Sequence, residues 1–194
     1  MRALLPLIPL LLFAGCSKPQ EETANQPSAS EQAGAVKGVD RSHTGKPAPN
    51  IPYLGPDGSE TRLTDYRGPV LVNFWATWCA PCIKELPTLS ALSRKYSEKG
   101  GLEVVALNQD TGPQASIEAF YVRLKINELG LEQDPQMKVS GALGVQVLPT
   151  TILFDNGKEV WRYVGDLDWT GPEAAKLLSE SGAGMPAHQA AGRR

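Results

Sequence analysis

Cysteine is scarce in this chain, three residues in 194, and histidine is scarcer still, with two. A structural zinc would need about two ligands beyond any cysteine pair. His43 and His188 both lie in polar ends with little apolar content, so no metal centre and no cofactor is expected. A basic excess is missing as well. Nineteen Lys and Arg face 21 Asp and Glu, for a formal net charge of −2, and no basic stripe runs along any segment. That removes the electrostatic footprint of a nucleic-acid binder. Long apolar runs are absent too: the best, Ala3 to Ala14, is broken by Pro6 and Pro9, and it falls short of the ~20 residues that cross a bilayer as a helix. No internal repeat is visible.

The ends shorten the chain to one domain, where its full length would allow one or, less comfortably, two at ~100 to 200 residues each. Met1-Arg2 is a basic start, an apolar segment follows, and Phe13-Ala14-Gly15-Cys16 closes on small residues before a cysteine. This resembles a bacterial lipoprotein signal, with Phe13 where an aliphatic residue is usual. It implies removal of residues 1–15 and a lipid on Cys16, which explains the odd cysteine. Ordinary signal cleavage or an uncleaved anchor is the alternative. Residues 16–45 are rich in Gln, Glu, Ser, Ala, Pro and Gly without apolar periodicity, so they read as a flexible tether. Residues 183–194 read as a loose tail. The remaining 46–182, roughly 135 residues, suffice for a sizeable core.

The chemistry gathers between Val70 and Pro87. Val70 to Trp75 is a short β-branched and aromatic run after Gly68-Pro69, as expected of a strand buried on both faces. Ile83, Leu86, Leu89, Leu92 and Tyr96 then recur at spacings of three and four, one apolar helical stripe. Cys79 and Cys82 fall where strand becomes helix. Unpaired amides and the positive end of the macrodipole stabilise a thiolate there, and Pro81 fits a first helical turn. Two sulfurs at this spacing can reach each other and cycle between dithiol and disulfide. Trp78-Cys79-Ala80-Pro81-Cys82 after Val-Asn-Phe-Trp resembles the active site of the thioredoxin superfamily, and Glu85 with Pro87 resembles its membrane-anchored TlpA/ResA branch.

Elsewhere, Ile51–Leu54 and Thr61–Leu63 flank a Gly-Pro-Asp-Gly turn and read as a hairpin, and Leu102–Leu107 reads as a second buried strand. Strand, helix, strand implies a parallel pair with a right-handed crossover. Ala115–Ile126 should be a helix, Leu129–Leu131 a short strand, and Gln136–Leu143 a short helix. Thr150–Phe154 and Glu159–Val164 flank Asp155-Asn156-Gly157, a strong hairpin signal. Pro172–Ser181 should close the chain as a helix. The resemblance implies an α/β, thioredoxin-like fold with an N-terminal β-hairpin and a central helical insertion.

It also implies roles. Cys79, the first cysteine of the pair, would be the nucleophile and Cys82 the resolver of a redox-active disulfide; a buried structural disulfide or a zinc half-site is the alternative. Trp78 would wall the substrate face, whereas Trp75, Trp161 and Trp169 read as core or rim aromatics. Pro149, directly before a strand, would be cis and face the cysteines, leaving the Leu148 backbone free to pair with an extended substrate; a trans edge proline is the alternative. Asn73 stands where thioredoxins commonly carry a buried Asp and cannot accept a proton. Glu85, three residues after Cys82, is the best replacement; a solvated helix glutamate is the alternative. Asn73 reads as a hydrogen-bonded packing amide.

The function implied is that of a monomeric thiol-disulfide oxidoreductase on the periplasmic or extracytoplasmic face of a membrane. It would reduce disulfides of exported proteins, with apocytochrome c the leading candidate, and draw electrons from a membrane donor of DsbD/CcdA type. Two rivals remain. A thiol peroxidase would carry Thr three residues before its reactive cysteine, where this chain has Ala76. A copper metallochaperone would want a wider cysteine spacing and a nearby His or Met.

Overall fold

A computed structural model describes residues 36–99 and 101–180. Its centre is β4 (Val70–Trp75), all six residues of which are buried. β5 (Glu103–Asn108) lies parallel to it on one side, reached through α1 (Ala80–Lys99), and β6 (Thr150–Asp155) lies antiparallel on the other. With β7 (Lys158–Val164) and β1 (Gly38–Asp40) the sheet order is β1-β7-β6-β4-β5. β2 (Tyr53–Leu54) and β3 (Glu60–Thr61) form the separate N-terminal hairpin, followed by a 3-10 turn at Leu63–Asp65. This is the α/β, thioredoxin-like architecture that the sequence implied.

Side chains of a strand alternate between faces, and β4 divides its own accordingly. Leu71 and Trp75 pack in the cluster that includes Leu86 and Leu89 of α1 and Leu177 and Leu178 of α4 (Pro172–Leu178). Val70, Val72 and Phe74 join Val105, Leu107, Ile152 and Phe154 with Tyr53 and Leu63 on the opposite face. Asn73 shares the parity of Leu71 and Trp75, so it is turned toward α1. That placement sets up the site. α1 runs on through Pro87, although a proline there leaves the Ile83 carbonyl without its helical donor.

The β6–β7 turn follows from Asn156 and Gly157. Their φ values of 50° and 71° are both positive, as a two-residue type I′ hairpin requires. α2 (Gln114–Leu124) and α3 (Lys138–Ala142) fill the connection from β5 to β6. The strand expected at Leu129–Leu131 does not form. Gln133 supplies the pairing instead, bridging Leu54 and Asn108 through its backbone while its Nε2 donates to the carbonyls of Asp110 and Gly112 at 2.7 and 2.6 Å. Asp134, expected only as a breaker, accepts from the Lys138, Val139 and Ser140 amides at 2.9, 2.9 and 3.1 Å and so anchors α3.

One boundary needs correction. The domain begins before Lys46: β1 pairs with β7 over Gly38↔Val164 to Asp40↔Arg162. Gly45 N donates to Glu159 O at 2.7 Å, and Arg41 meets Glu180 at 2.6 Å. His43 is therefore in an ordered turn, its Nδ1 3.0 Å from Ser42 Oγ. The segment reads as a tether because ladder hydrogen bonds hold it, with little side-chain burial to create a periodic signal. Residues 1–35, including the signal-like segment and Cys16, and residues 181–194 lie outside the described residues. A chain trimmed to begin at Lys46 should lose about 2 kcal/mol or more relative to one that begins at Val36, through the stripped edge of β7. Urea unfolding of the two checks this, and equal stability would return β1 to the tether.

Candidate active site: a cysteine pair before a buried carboxylate

β4 leaves the sheet at Trp75, turns through Ala76-Thr77-Trp78, and enters α1 at Ala80, which puts Cys79 at the cap of the helix. The turn is fixed at two points. Cys79 N donates to Ala76 O at 3.1 Å, and Thr77 N donates to Asp110 Oδ2 at 3.1 Å. Asp110 is held in turn by Asn108, whose Nδ2 donates to Oδ2 at 3.0 Å and whose Oδ1 accepts from the Asp110 amide at 2.8 Å. Nothing in the sequence marked Asp110, an ordinary loop acid that acquires this task only when β5 ends beside β4.

Cys79 and Cys82 are joined in a disulfide, with Cα atoms 5.3 Å apart. The Cys82 amide points at Cys79 Sγ from 3.3 Å, the direction in which a first-turn N–H stabilises a thiolate. Cys82 is fully buried behind it. Trp78, by contrast, is 72% exposed, the largest apolar surface beside the pair. The Leu148–Pro149 bond is cis. Because Phe74 pairs with Thr150, Pro149 stands at the end of the sheet where β4 runs out into the cysteine turn. Among the described residues no hydrogen bond engages the Leu148 main chain, while Pro149 O accepts from Gly165 N at 2.8 Å.

Glu85 follows Cys82 by one turn and is 3% exposed. Its Oε1 accepts from Asn73 Nδ2 at 2.7 Å, and its Oε2 from Leu167 N at 3.0 Å and Trp169 Nε1 at 3.1 Å. Burial raises its pKa to about 7; the three donors oppose that rise, and the charge of Asp166 adds to it. Asp166 itself is held down at about 2 by hydrogen bonds from Lys37 and Lys84, at 2.6 and 3.1 Å. Asn73 is a hydrogen-bonded amide, as expected, and the group it binds is the Glu85 carboxyl. Trp169, expected only in the core or rim, is a direct partner of that carboxylate.

A second buried acid with a raised pKa escaped the sequence altogether. Glu132 also has its pKa raised by burial to about 7, and its Oε2 has no hydrogen-bond partner. The nearby Tyr121 hydroxyl is likewise unpartnered and buried, with its ring stacked on Trp75 at 5.5 Å. Among the described residues, no group of three or more His, Cys, Asp or Glu is placed to hold a metal ion.

A disulfide at a helix cap, a proline loop across the sheet end and a buried acid one turn behind define a thioredoxin-fold protein built for dithiol–disulfide exchange. The chain belongs to the AhpC/TSA family, which it matches over residues 44–162. It is 39% identical to the thiol-disulfide oxidoreductase ResA of Bacillus thuringiensis (strain Al Hakam) over 128 residues, 63% of this chain and 70% of that protein. Among solved structures it is similar to a putative thiol:disulfide interchange protein DsbE from Chlorobium tepidum (TM-score 0.61, 28% identity, covering 71% of this chain and 96% of that one). It is also similar to the pneumococcal exposed lipoprotein thioredoxin of Streptococcus pneumoniae (TM-score 0.56, 26% identity, covering 68% and 98%). The protein is a thiol-disulfide oxidoreductase of ResA/DsbE type.

The two raised carboxyls set a pH dependence of stability. Glu85 and Glu132 hold protons up to about pH 7 in the fold but only to about 4.5 once unfolded. The native state then binds more protons than the unfolded one between these limits, so stability falls as pH rises from about 4.5 to about 7 and levels off above. Each group should contribute on the order of 3 kcal/mol to the fall. Urea unfolding of the disulfide-closed protein measures it, and Glu132→Gln should remove about half of the slope. A stability that climbs across this window would contradict the assignment.

Proposed function

We propose that the protein is a reductant of disulfides in exported proteins, tethered to the extracytoplasmic face of a membrane through a lipidated Cys16. Cys79 is its nucleophile, Cys82 its resolver and Glu85 its proton acceptor. The observation that carries the reading is the buried Glu85 carboxyl, titrating near pH 7 one turn behind the disulfide at the start of α1. The Cys79 thiolate attacks a substrate disulfide, forming a Cys79–substrate mixed disulfide and expelling one substrate thiolate. The Cys82 thiol then attacks Cys79 Sγ. A Cys79–Cys82 bond forms, the second substrate sulfur leaves as thiolate, and the Cys82 proton passes to the Glu85 carboxylate. Positions three apart share a helix face, which favours that transfer.

Trp78, Leu148 and Pro149 form the substrate face. The free Leu148 main chain supports pairing with an extended segment, and a cleft of about 640 Å³ beside Trp78, lined also by Gln109 and Phe120, leaves room for flanking side chains. Apocytochrome c is the leading substrate candidate, and a membrane donor of DsbD/CcdA type returns the electrons. Ala80-Pro81 between the cysteines adds neither a cation nor a donor side chain, so the Cys79 thiolate is stabilised only moderately. The potential should therefore lie nearer the ~−270 mV of thioredoxin than the ~−120 mV of DsbA. The signal-like residues 1–16 support the anchor, as does the likeness to a lipoprotein thioredoxin. Among the described residues no helix is long and apolar enough to cross a membrane. Ala76, where a peroxidase would carry Thr, weighs against peroxide chemistry.

A Cys82→Ser variant should accumulate mixed disulfides through Cys79 with its partner proteins, because only the second thiol clears them. Non-reducing gels and mass spectrometry of the adducts identify the substrates. Equal trapping by Cys79→Ser would overturn the roles, and a potential as oxidising as that of DsbA in glutathione buffers would leave an oxidase.

A further inference from the structure

Asn73 is fully buried, and its two amide ends are treated unequally. Nδ2 donates twice, to Glu85 Oε1 at 2.7 Å and to Thr151 Oγ1 at 2.9 Å, while Oδ1 has no hydrogen-bond partner. A buried amide oxygen without a partner is uncommon and asks for a reason. The two ends of a carboxamide are nearly the same size, and a half-turn about the Cβ–Cγ bond exchanges them. After that turn Oδ1 stands between Glu85 Oε1 and Thr151 Oγ1, and Nδ2 occupies the unpartnered position. One end is left alone in either orientation. The orientation is therefore decided by what the neighbours offer.

Glu85 is the neighbour whose offer changes. As a carboxylate it welcomes the N–H groups of Asn73, Leu167 and Trp169. As a carboxylic acid it must place an O–H, and the Leu167 amide and the Trp169 indole can only donate. A proton at Oε1 would meet the Asn73 NH₂ as it now stands. With the amide turned, the Glu85 O–H donates to Oδ1, and the Thr151 hydroxyl, so far only an acceptor, donates to it as well.

We propose that Asn73 is a positioning residue whose amide turns over with each protonation of Glu85, donating to the carboxylate and accepting from the acid. This rests on Glu85 as the proton acceptor and adds the device that lets one buried site hold the Cys82 proton and release it again. The other groups near Glu85 do not follow the same titration. Asp166 is pinned as an anion by Lys37 and Lys84, Tyr163 of β7 has its pKa raised by burial and stays protonated, and Cys82 does not titrate while the disulfide is closed.

The test is an NMR titration of the disulfide-closed full chain from about pH 5 to 9. The Glu85 carboxyl carbon and the Asn73 side-chain amide should shift with one shared midpoint. The contact between the Asn73 NH₂ protons and Thr151 should be present above that midpoint and lost below it. A Glu85 carboxyl that titrates while the NH₂–Thr151 contact persists would make Asn73 a fixed packing donor and overturn this inference alone. No Glu85 titration in the range would overturn both it and the assigned proton acceptor. As a functional check, Asn73→Leu, which lacks both ends of the amide, should slow attack by Cys82 roughly 10-fold; an unchanged rate would also count against the inference.

Discussion

The structure depends on one carboxyl group being buried without being paired to a cation. Glu85 draws three donors from two separate places: Asn73 in β4, and Leu167 and Trp169 in the segment between β7 and α4. Hydrogen bonds of this kind stabilise an ionised carboxylate, while burial favours the neutral acid. Burial prevails, but the donors temper it, and the group is left near pH 7. A salt bridge would have fixed the charge. Lys37 and Lys84 are engaged by Asp166, and Glu85 is left able to exchange a proton in the range where thiols react.

That arrangement explains why the fold around the cysteines is so tightly specified. Trp75 anchors the end of β4 through Nε1 to Ala106 O at 3.1 Å and through its stacking on Tyr121. Asp110 then fixes the turn that follows. Cys79 is held at the helix cap while the Trp78 ring is thrust outward. Exposed aromatic surface beside a reactive sulfur suits a protein substrate, because it offers contact area at low entropic cost.

Much of this was legible in the sequence. The β-branched run before Cys79 reads as a buried strand, the Ile83 to Tyr96 periodicity as a helix packed on it, and Asn156-Gly157 as the turn of a hairpin. What stayed hidden depended on main-chain bonds or on distance. β1 has no apolar stripe because a ladder with β7 holds it. Gln133 and Asp134 look like loop residues, and their hydrogen bonds appear only once β2, β5 and α3 are assembled around them. Glu85 was visible as an acid one turn after Cys82. Trp169, 84 residues further along, could not be known as its partner. Glu132 was missed because a glutamate beside Gly130 and Gln133 gives no sign that the fold will close over it.

The claim at the centre of this account is that Glu85 takes the proton from the resolving cysteine. Rapid-mixing measurement of the second exchange step against pH, for the natural chain and for Glu85→Gln, tests it most directly. The natural chain should show an inflection near pH 7, and the variant should lose it and slow by roughly 10²-fold. An identical pH profile and rate in the two proteins would contradict the claim.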